Sequence, residues 1–279
     1  MKLKEVLSNA EDLLVNANIP DARLDAWYLF EYAFDMNRIA YFLNQDEMVT
    51  QEMYEKYHEM VMKRCSHIPL QYITGAQEFM GLAFYVNEHV LIPRQDTECL
   101  VERVLQYAND KDVLDVCTGS GCIIISLEKL CDLKSATALD ISKEALEVAR
   151  ENAKILEANV NFVESDLFSQ IQKKYDIIVS NPPYIPTDVV LGLMEEVREH
   201  EPMLALDGKE DGLFFYRKIT KEATQYLKPG GMLFYEIGHD QGEAVSELLH
   251  KHGFVDITVE KDLAGLDRIV YGKLDLEIR

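Results

Sequence analysis

The chain has 279 residues, 48% of them hydrophobic and 28% charged, and a formal net charge of −21. That length supports one large domain or two smaller ones with an ample core. The excess of acid disfavours a partner held through many nucleic-acid phosphates, which needs basic residues along its track, and suits a small cationic ligand or a protein with a basic surface. No apolar run approaches the roughly 20 residues of a membrane-spanning helix. Acids and amides interrupt the amino terminus (Met1-Lys2-Leu3-Lys4-Glu5) before any signal-peptide core can form. The expected location is therefore cytoplasmic, with no membrane partner. The five cysteines (Cys65, Cys99, Cys117, Cys122 and Cys131) form no Cys-x-x-Cys pair, and the seven histidines show no metal-ligand spacing. Free thiols are expected, and no metal site or disulfide framework.

Residues 1 to about 73 read as helical. Val6, Leu13, Leu14, Ala17 and Ile19 give an apolar face before Pro20-Asp21, which marks a break and a new helix start. Leu24, Ala26, Trp27, Leu29, Phe30 and Ala33 make a second apolar segment ending near Asn37, with Trp27 as core. From Thr50 to Arg64 a third amphipathic helix places Met53, Tyr57, Met60 and Val61 about a turn apart. Beyond His67 the character changes. Gly81, followed by alternating apolar residues, predicts a β-hairpin linker, and the domain boundary is expected within that segment, near residue 80. A helix then opens at Arg94, Thr97 and Glu98.

From Asp112 onward the rhythm is strand, loop, helix, repeated. Strands are predicted at Val113–Val116, Ala136–Leu139, Val160–Val163, Tyr175–Val179 and Met232–Ile237, and near 255–259 and 268–271. The helices between them are expected at Ile123–Leu130, Lys143–Leu156, Gly212–Leu227 and Gly242–His252. A long loop follows Tyr184, and Lys228-Pro229-Gly230-Gly231 reads as a turn. This alternation predicts a parallel α/β sheet with helices on both faces.

Ligands of open α/β sheets sit beyond the carboxyl ends of the strands, at a topological switch point. The unusual residues of this chain all fall there. Cys117-Thr118-Gly119-Ser120-Gly121 ends the first strand, and its glycines permit a tight turn and close backbone approach. Asp140 ends the next strand about 20 positions beyond them, the usual distance for an acid that binds a ribose diol. Asp166 is placed to bind an adenine amino group, with Leu167 packing on the ring. Asp115, inside a strand, either orients the loop or approaches a cationic ligand, because an unpaired buried carboxylate is costly. Adenosine carrying a positive charge and no phosphate suits this set, which fits S-adenosylmethionine better than NAD. Ser180-Asn181-Pro182-Pro183-Tyr184 ends the fourth strand. Its prolines stiffen the backbone and leave carbonyls free, Asn181 adds an acceptor and a donor, and Tyr184 adds a flat face. Such a loop suits a planar NH₂-bearing group.

These residues carry a resemblance. Val-Leu-Asp-Val-Cys-Thr-Gly-Ser-Gly, Asp140 and Ser180-Asn181-Pro182-Pro183-Tyr184 resemble the class I S-adenosylmethionine-dependent methyltransferases, and the Asn-Pro-Pro-Tyr string those that methylate a planar nitrogen. Three further strings resemble the HemK-type family: Pro69-Leu-Gln-Tyr-Ile-Thr-Gly75, Glu78-Phe-x-Gly-Leu-x-Phe-x-Val86 and Val90-Leu-Ile-Pro-Arg-x-x-Thr-Glu98. Members of that family methylate the side-chain amide of the glutamine in the Gly-Gly-Gln motif of peptide chain release factors. The resemblance covers nearly the whole chain. It implies a Rossmann-like methyltransferase domain over 94–279 with a mainly parallel sheet, a hairpin linker over 74–93 and a helical substrate-recognition domain over 1–73. It implies S-adenosylmethionine as cofactor and S-adenosylhomocysteine as product, with release factors as partner and no stable nucleic-acid complex. Cofactor contacts fall on Cys117, Thr118, Gly119, Ser120, Gly121, Asp140, Asp166, Leu167 and Asn181, and catalytic ones on Asn181, Pro182, Pro183 and Tyr184.

The expected mechanism has the Asn181 side-chain carbonyl and a backbone carbonyl near Pro182 accept the two amide hydrogens, with Tyr184 on the amide plane and no dedicated base. Three departures from the family pattern stand out. Cys117 occupies a position often glycine, so its backbone must accept a side chain. Gln95-Asp96 replaces the usual Pro-Glu after Arg94, and Leu167 sits where some members have an aromatic. A ribosomal-protein glutamine methyltransferase is the alternative, and an adenine-N6 nucleic-acid methyltransferase, disfavoured by charge and hairpin, is the more distant one.

Overall fold

Five helices form from the amphipathic segments at the amino terminus of the computed structural model, which describes residues 1–275. They are α1 (Leu3–Asn16), α2 (Ala22–Phe34), α3 (Arg38–Asn44), α4 (Gln51–Cys65) and α5 (Leu70–Thr74). Caps fix where two of them start: the Asn37 side chain accepts from the Ala40 amide, and the Thr50 hydroxyl from that of Met53. Trp27 is buried and stacks on Phe30, their ring centroids 5.6 Å apart. The chain divides into two compact units. The first comprises 1–76 together with 194–200, and the second 77–193 with the chain from 201 onward. The returning segment is held in the first unit by Arg64, buried on α4, which reaches Asp25 at 2.7 Å and Glu196 at 2.6 Å. The carboxyl-terminal bound expected at residue 279 lies outside the described residues.

The second unit starts at Gln77, within the hairpin β1 (Ala76–Phe79) and β2 (Leu82–Tyr85), which leads to α6 (Gln95–Ala108). Then follow β3 (Asp112–Val116), α7 (Cys122–Leu130), β4 (Ser135–Asp140), α8 (Lys143–Ile155), β5 (Val160–Glu164) and β6 (Tyr175–Ser180). The segment expected as a long loop contains three short helices: α9 (Thr187–Val190), α10 (Glu195–His200, in the first unit) and α11 (Met203–Leu206). Periodicity could not reveal them, because each is only about one to two turns long. The chain closes with α12 (Phe214–Tyr226), β7 (Leu227–Glu236), α13 (Gly242–Lys251), β8 (Phe254–Lys261) and β9 (Asp267–Leu274). The expected turn at Lys228–Gly231 is instead an irregularity within β7, where the pairing jumps from Tyr175–Leu227 to Ile177–Met232.

The seven-stranded sheet runs β5-β4-β3-β6-β7-β9-β8; it is parallel except for β9, which is antiparallel to both its neighbours. Apolar residues on both faces of the central strands build two cores. Val113, Ile177, Val179 and Phe234 pack with α6 and α7 residues, while Leu114, Ile178, Leu233 and Tyr235 pack with those of α12 and α13. Sequence order moves outward from β3 through β4 to β5 and then returns to β6 on the other side of β3. The switch point therefore lies between the carboxyl ends of β3 and β6, which end in the glycine loop and in Asn181. Buried Asn152 stitches the hairpin to that loop: its Nδ2 donates to the Tyr85 and Ser120 carbonyls and its Oδ1 accepts from the Tyr85 amide.

Candidate active site

A cavity opens at this switch point. Of the residues expected to hold a cofactor, Cys117, Thr118, Gly119, Ser120, Asp140, Asp166, Leu167 and Asn181 line it, joined by Pro183, Arg94 and Thr97. Gly121, Pro182 and Tyr184 are not among the lining residues. The loop turns through Gly121 donating to the Thr118 carbonyl at 2.9 Å, and the Thr118 amide donates to Leu139 at 2.9 Å. Asp140 ties the loop down, its carboxylate accepting from the Gly119 amide at 2.8 Å and the Ser142 amide at 2.9 Å. Burial raises its pKa, and these amides oppose the rise. A Cβ on Gly119 would meet nothing within 4 Å, so this stretch of backbone is open to close approach. Cys117 departs from expectation. Its φ of +63° lies in the left-handed region that disfavours a side chain. Glycine suits that conformation better, which accounts physically for the residue more usual there.

Asp115 lies beneath the loop, wholly buried and outside the cavity wall. Its Oδ2 accepts from the Thr118 hydroxyl at 2.6 Å, whereas Oδ1 lacks a partner of good geometry. Of the two roles considered for it, the geometry matches loop orientation. Burial pushes its pKa up to about 7; the Thr118 hydroxyl and the Ile124 amide lower it, and Asp140 raises it. An unfolded aspartate titrates near pH ~4, so ionisation of the native carboxyl costs stability progressively as pH rises from about 4 to 7. Asp115→Asn should therefore raise Tm by about 3–6 °C at pH 8 and by less at pH 5. Thermal unfolding at both pH values measures this, and a lower Tm for the variant at pH 8 would contradict it.

At the end of β6 the backbone is gripped from several sides. The Ser180 hydroxyl donates to the Val116 carbonyl at 2.6 Å. Asn181 Nδ2 donates to Thr97 Oγ1 at 3.4 Å. Among the described residues nothing donates to Asn181 Oδ1 or to the Pro182 carbonyl. Two acceptors thus stay free on one stiff loop. The Tyr184 hydroxyl is turned to Glu236 Oε1, 3.5 Å away, and the Tyr184 carbonyl accepts from Gln241 Nε2 at 2.9 Å. Ile185 exchanges hydrogen bonds with Leu206 and Gly208. A Cβ on Gly208 would come within 2.7 Å of the Tyr184 backbone, and one on Gly212 would overlap the Tyr184 carbonyl. On the opposite wall Arg94 pairs with buried Glu201 at 2.5 Å, and Glu201 also accepts from the Ile92 amide at 3.3 Å.

Thr97, Glu236, Gln241, Gly208 and Gly212 were not singled out for the site from sequence. Each sits far from Asn181 along the chain. The available signals were weak: a hydroxyl in the first turn of α6, an acid closing an apolar strand, one glycine (Gly208) in a segment read as loop and another (Gly212) read as a helix start. Among the described residues no group of three or more His, Cys, Asp and Glu is placed to hold a metal, and all five cysteines are free. No helix there is long and apolar enough to cross a membrane.

The fold and the switch-point cavity define a Rossmann-like methyltransferase. In solved structures the same fold occurs in a methyltransferase from Pyrococcus furiosus (TM-score 0.53, 18% identity, covering 70% of this chain and 90% of that one). It recurs in a ribosomal protein L11 methylase from Lactobacillus delbrueckii (TM-score 0.51, 20% identity, 68% and 84%). Residues 5–75 match the PrmC N-terminal domain model and residues 95–197 the methyltransferase small domain model. A release factor glutamine methyltransferase from Clostridium acetobutylicum is 42% identical over 97% of this chain and 98% of its own. One from Geobacter sulfurreducens is 40% identical over 98% and 96%. The chain belongs to the release factor glutamine methyltransferase family.

Proposed function

We propose that this protein transfers a methyl group from S-adenosylmethionine to the side-chain amide nitrogen of the glutamine in the Gly-Gly-Gln motif of peptide chain release factors. The observation that carries the reading is a pair of acceptors that no donor meets, Asn181 Oδ1 on the cavity wall and the Pro182 carbonyl one residue further along, in a stiff loop at the same switch point as the glycine loop. An amide nitrogen is a weak nucleophile because its lone pair is delocalised. Two acceptors on its hydrogens orient it and favour the positive charge that develops as it is alkylated.

The residues present fit the cofactor. Gly119 offers open backbone, Asp140 a carboxylate with unused lone pairs, and Asp166 and Leu167 an acid and an apolar side chain on the same cavity. These, with the backbone from Cys117 to Gly121, would hold S-adenosylmethionine, which supplies a methyl made electrophilic by a cationic sulfur. Tyr184 braces the loop through its hydroxyl and carbonyl, and Pro183 closes the cavity wall beside Asn181. Residues 1–73 recognise the protein substrate, and a cytoplasmic location follows from that substrate.

Purified release factor, ribosomal protein and duplex DNA, each incubated with labelled cofactor, test the proposal. Label should enter the release factor alone, on the Gly-Gly-Gln glutamine. Transfer to ribosomal protein or DNA instead would overturn the assignment. The intact factor should show a much lower KM than a Gly-Gly-Gln peptide, and equal values would remove the recognition role of residues 1–73.

A further inference from the structure

Arg94 caps the amino terminus of α6 and stands on the cavity wall. Among the described residues that line the cavity it is the only lysine or arginine. Its position is fixed from behind. Nη2 donates to Glu201 Oε1 at 2.5 Å, and Glu201 Oε2 accepts from the Ile92 amide at 3.3 Å. The Glu201 side chain is 1% exposed, whereas that of Arg94 is 40% exposed. A carboxylate so buried is costly without its cation, so the pair holds the guanidinium in place. A guanidinium carries five N–H donors in a rigid fork. Among the described residues nothing accepts from Arg94 Nε or Nη1. The cavity wall thus bears an anchored cation with donors to spare.

We propose that Arg94, anchored by Glu201, receives the carboxylate at the amino-acid end of S-adenosylmethionine and selects against cofactors that lack it. The assignment rests on the reading of this cavity as the cofactor site. Strand order gives the direction in which the cofactor lies. Across the sheet the neighbours run β5, β4, β3 and β6. Asp166 follows β5, Asp140 ends β4, the glycine loop follows β3 and Asn181 follows β6. With adenine at Asp166 and ribose at Asp140, the rest of the cofactor extends toward the glycine loop and Asn181. Arg94 belongs to that end, because Thr97, three residues further on, meets Asn181 at 3.4 Å.

Charge makes the choice of ligand group specific. S-adenosylmethionine carries a sulfonium, an ammonium and a single anion, its carboxylate. The cavity acids Asp140 and Asp166 favour the two cations and repel the anion. Arg94 offers that anion a guanidinium edge, which matches a carboxylate through two parallel N–H···O bonds. The substrate makes no rival claim, since neither glycine nor glutamine brings an anionic side chain. Two opposite expectations follow for a cofactor without its carboxylate. In a cavity governed by its acids, the more positive ligand binds more tightly. With Arg94 as the carboxylate's partner, it binds less tightly.

Calorimetric titration of the full chain tests this by binding and not by turnover, with S-adenosylhomocysteine and its decarboxylated analogue as probes. The wild type should bind S-adenosylhomocysteine about ten- to a hundredfold more tightly, as charge-assisted hydrogen bonds to one carboxylate dictate. The double variant R94Q/E201Q leaves no charge buried without its partner and should lose that preference. Its affinity for S-adenosylhomocysteine should fall by the same factor, with the decarboxylated analogue bound within about threefold of wild type. Should that variant fail to fold, Arg94→Lys takes its place: it keeps a cation for Glu201 without the fork, and should lose most of the preference. Equal wild-type affinity for the two probes, or a full preference in the variant, overturns the role of Arg94 and leaves the proposed function standing. An equal loss for both probes also overturns it, since Arg94 would then only shape the wall. A wild type that binds neither probe removes the cofactor reading and both proposals with it. Methyl transfer to ribosomal protein in place of release factor removes the proposed function alone, and the selection by Arg94 stands.

Discussion

Asn181→Ala should lower kcat for release factor by about a hundredfold or more while leaving cofactor affinity and Tm close to wild type. The size follows from what the side chain is asked to do. Asn181 Oδ1 is a free acceptor on a backbone held by Ser180, Gln241 and Glu236, so it needs no reorganisation when a donor arrives. Removal of one such preorganised group from an active site typically costs 10² to 10³ in rate, about 2.7–4 kcal/mol. The loss should fall on kcat rather than KM, because the positive charge on nitrogen develops only as the bond forms. The side chain contributes one 3.4 Å contact to Thr97, longer than a usual N–H···O hydrogen bond, so its deletion should cost little stability. Single-turnover methyl transfer and calorimetric cofactor titration separate the two effects. Near-normal turnover by the variant would show that Asn181 does not face the reacting amide.

The features legible in the sequence were those written in consecutive residues. Val113 to Leu130 declares a strand, a turn and a helix by its apolar runs and its glycines, and the structure contains all three. Asn181-Pro182-Pro183-Tyr184 declares a stiff polar loop by its prolines. Both end predicted strands, where ligands of open α/β sheets sit, and the structure makes those strands parallel neighbours. What stayed hidden was assembled across the fold. Thr97 reads as an ordinary helix-start residue, and only tertiary packing sets its hydroxyl against Asn181, 84 positions away. Glu236 reads as the polar end of a strand, and its burial depends on α6, α12 and β9 closing around it. The Asp25–Arg64–Glu196 cluster and the return of 194–200 to the first unit depend on contacts that carry no local periodicity. Cys117 was legible as a departure from the family pattern, but its left-handed backbone was not, because a cysteine gives no sign of positive φ.

Gly212→Ala should reduce kcat/KM by more than tenfold and lower stability by about 1–3 kcal/mol. Two costs combine at this position. Its φ of +72° penalises any side chain by about 1 kcal/mol. An added Cβ would also overlap the Tyr184 carbonyl and come within 2.7 Å of Gln241 Nε2. The methyl group can fit only if the Tyr184 backbone or the Gln241 side chain moves, and the 2.9 Å hydrogen bond between them is lost in either case. Tyr184 follows Asn181 by three residues across two prolines, which transmit a displacement instead of absorbing it. A shift of about 1 Å at the acceptors can cost a hundredfold in rate. Gly265→Ala is the matched control: its φ is +82°, yet its Cβ would meet nothing within 4 Å. It should pay the backbone cost alone, with lower Tm and unchanged kcat/KM. Equal loss of activity in the two variants would mean that strain at a positive φ, and not displacement of the Asn-Pro-Pro-Tyr loop, governs the response. A selective loss in Gly212→Ala would tie the rate to the position of that loop, which is held by residues up to about 60 positions away from it.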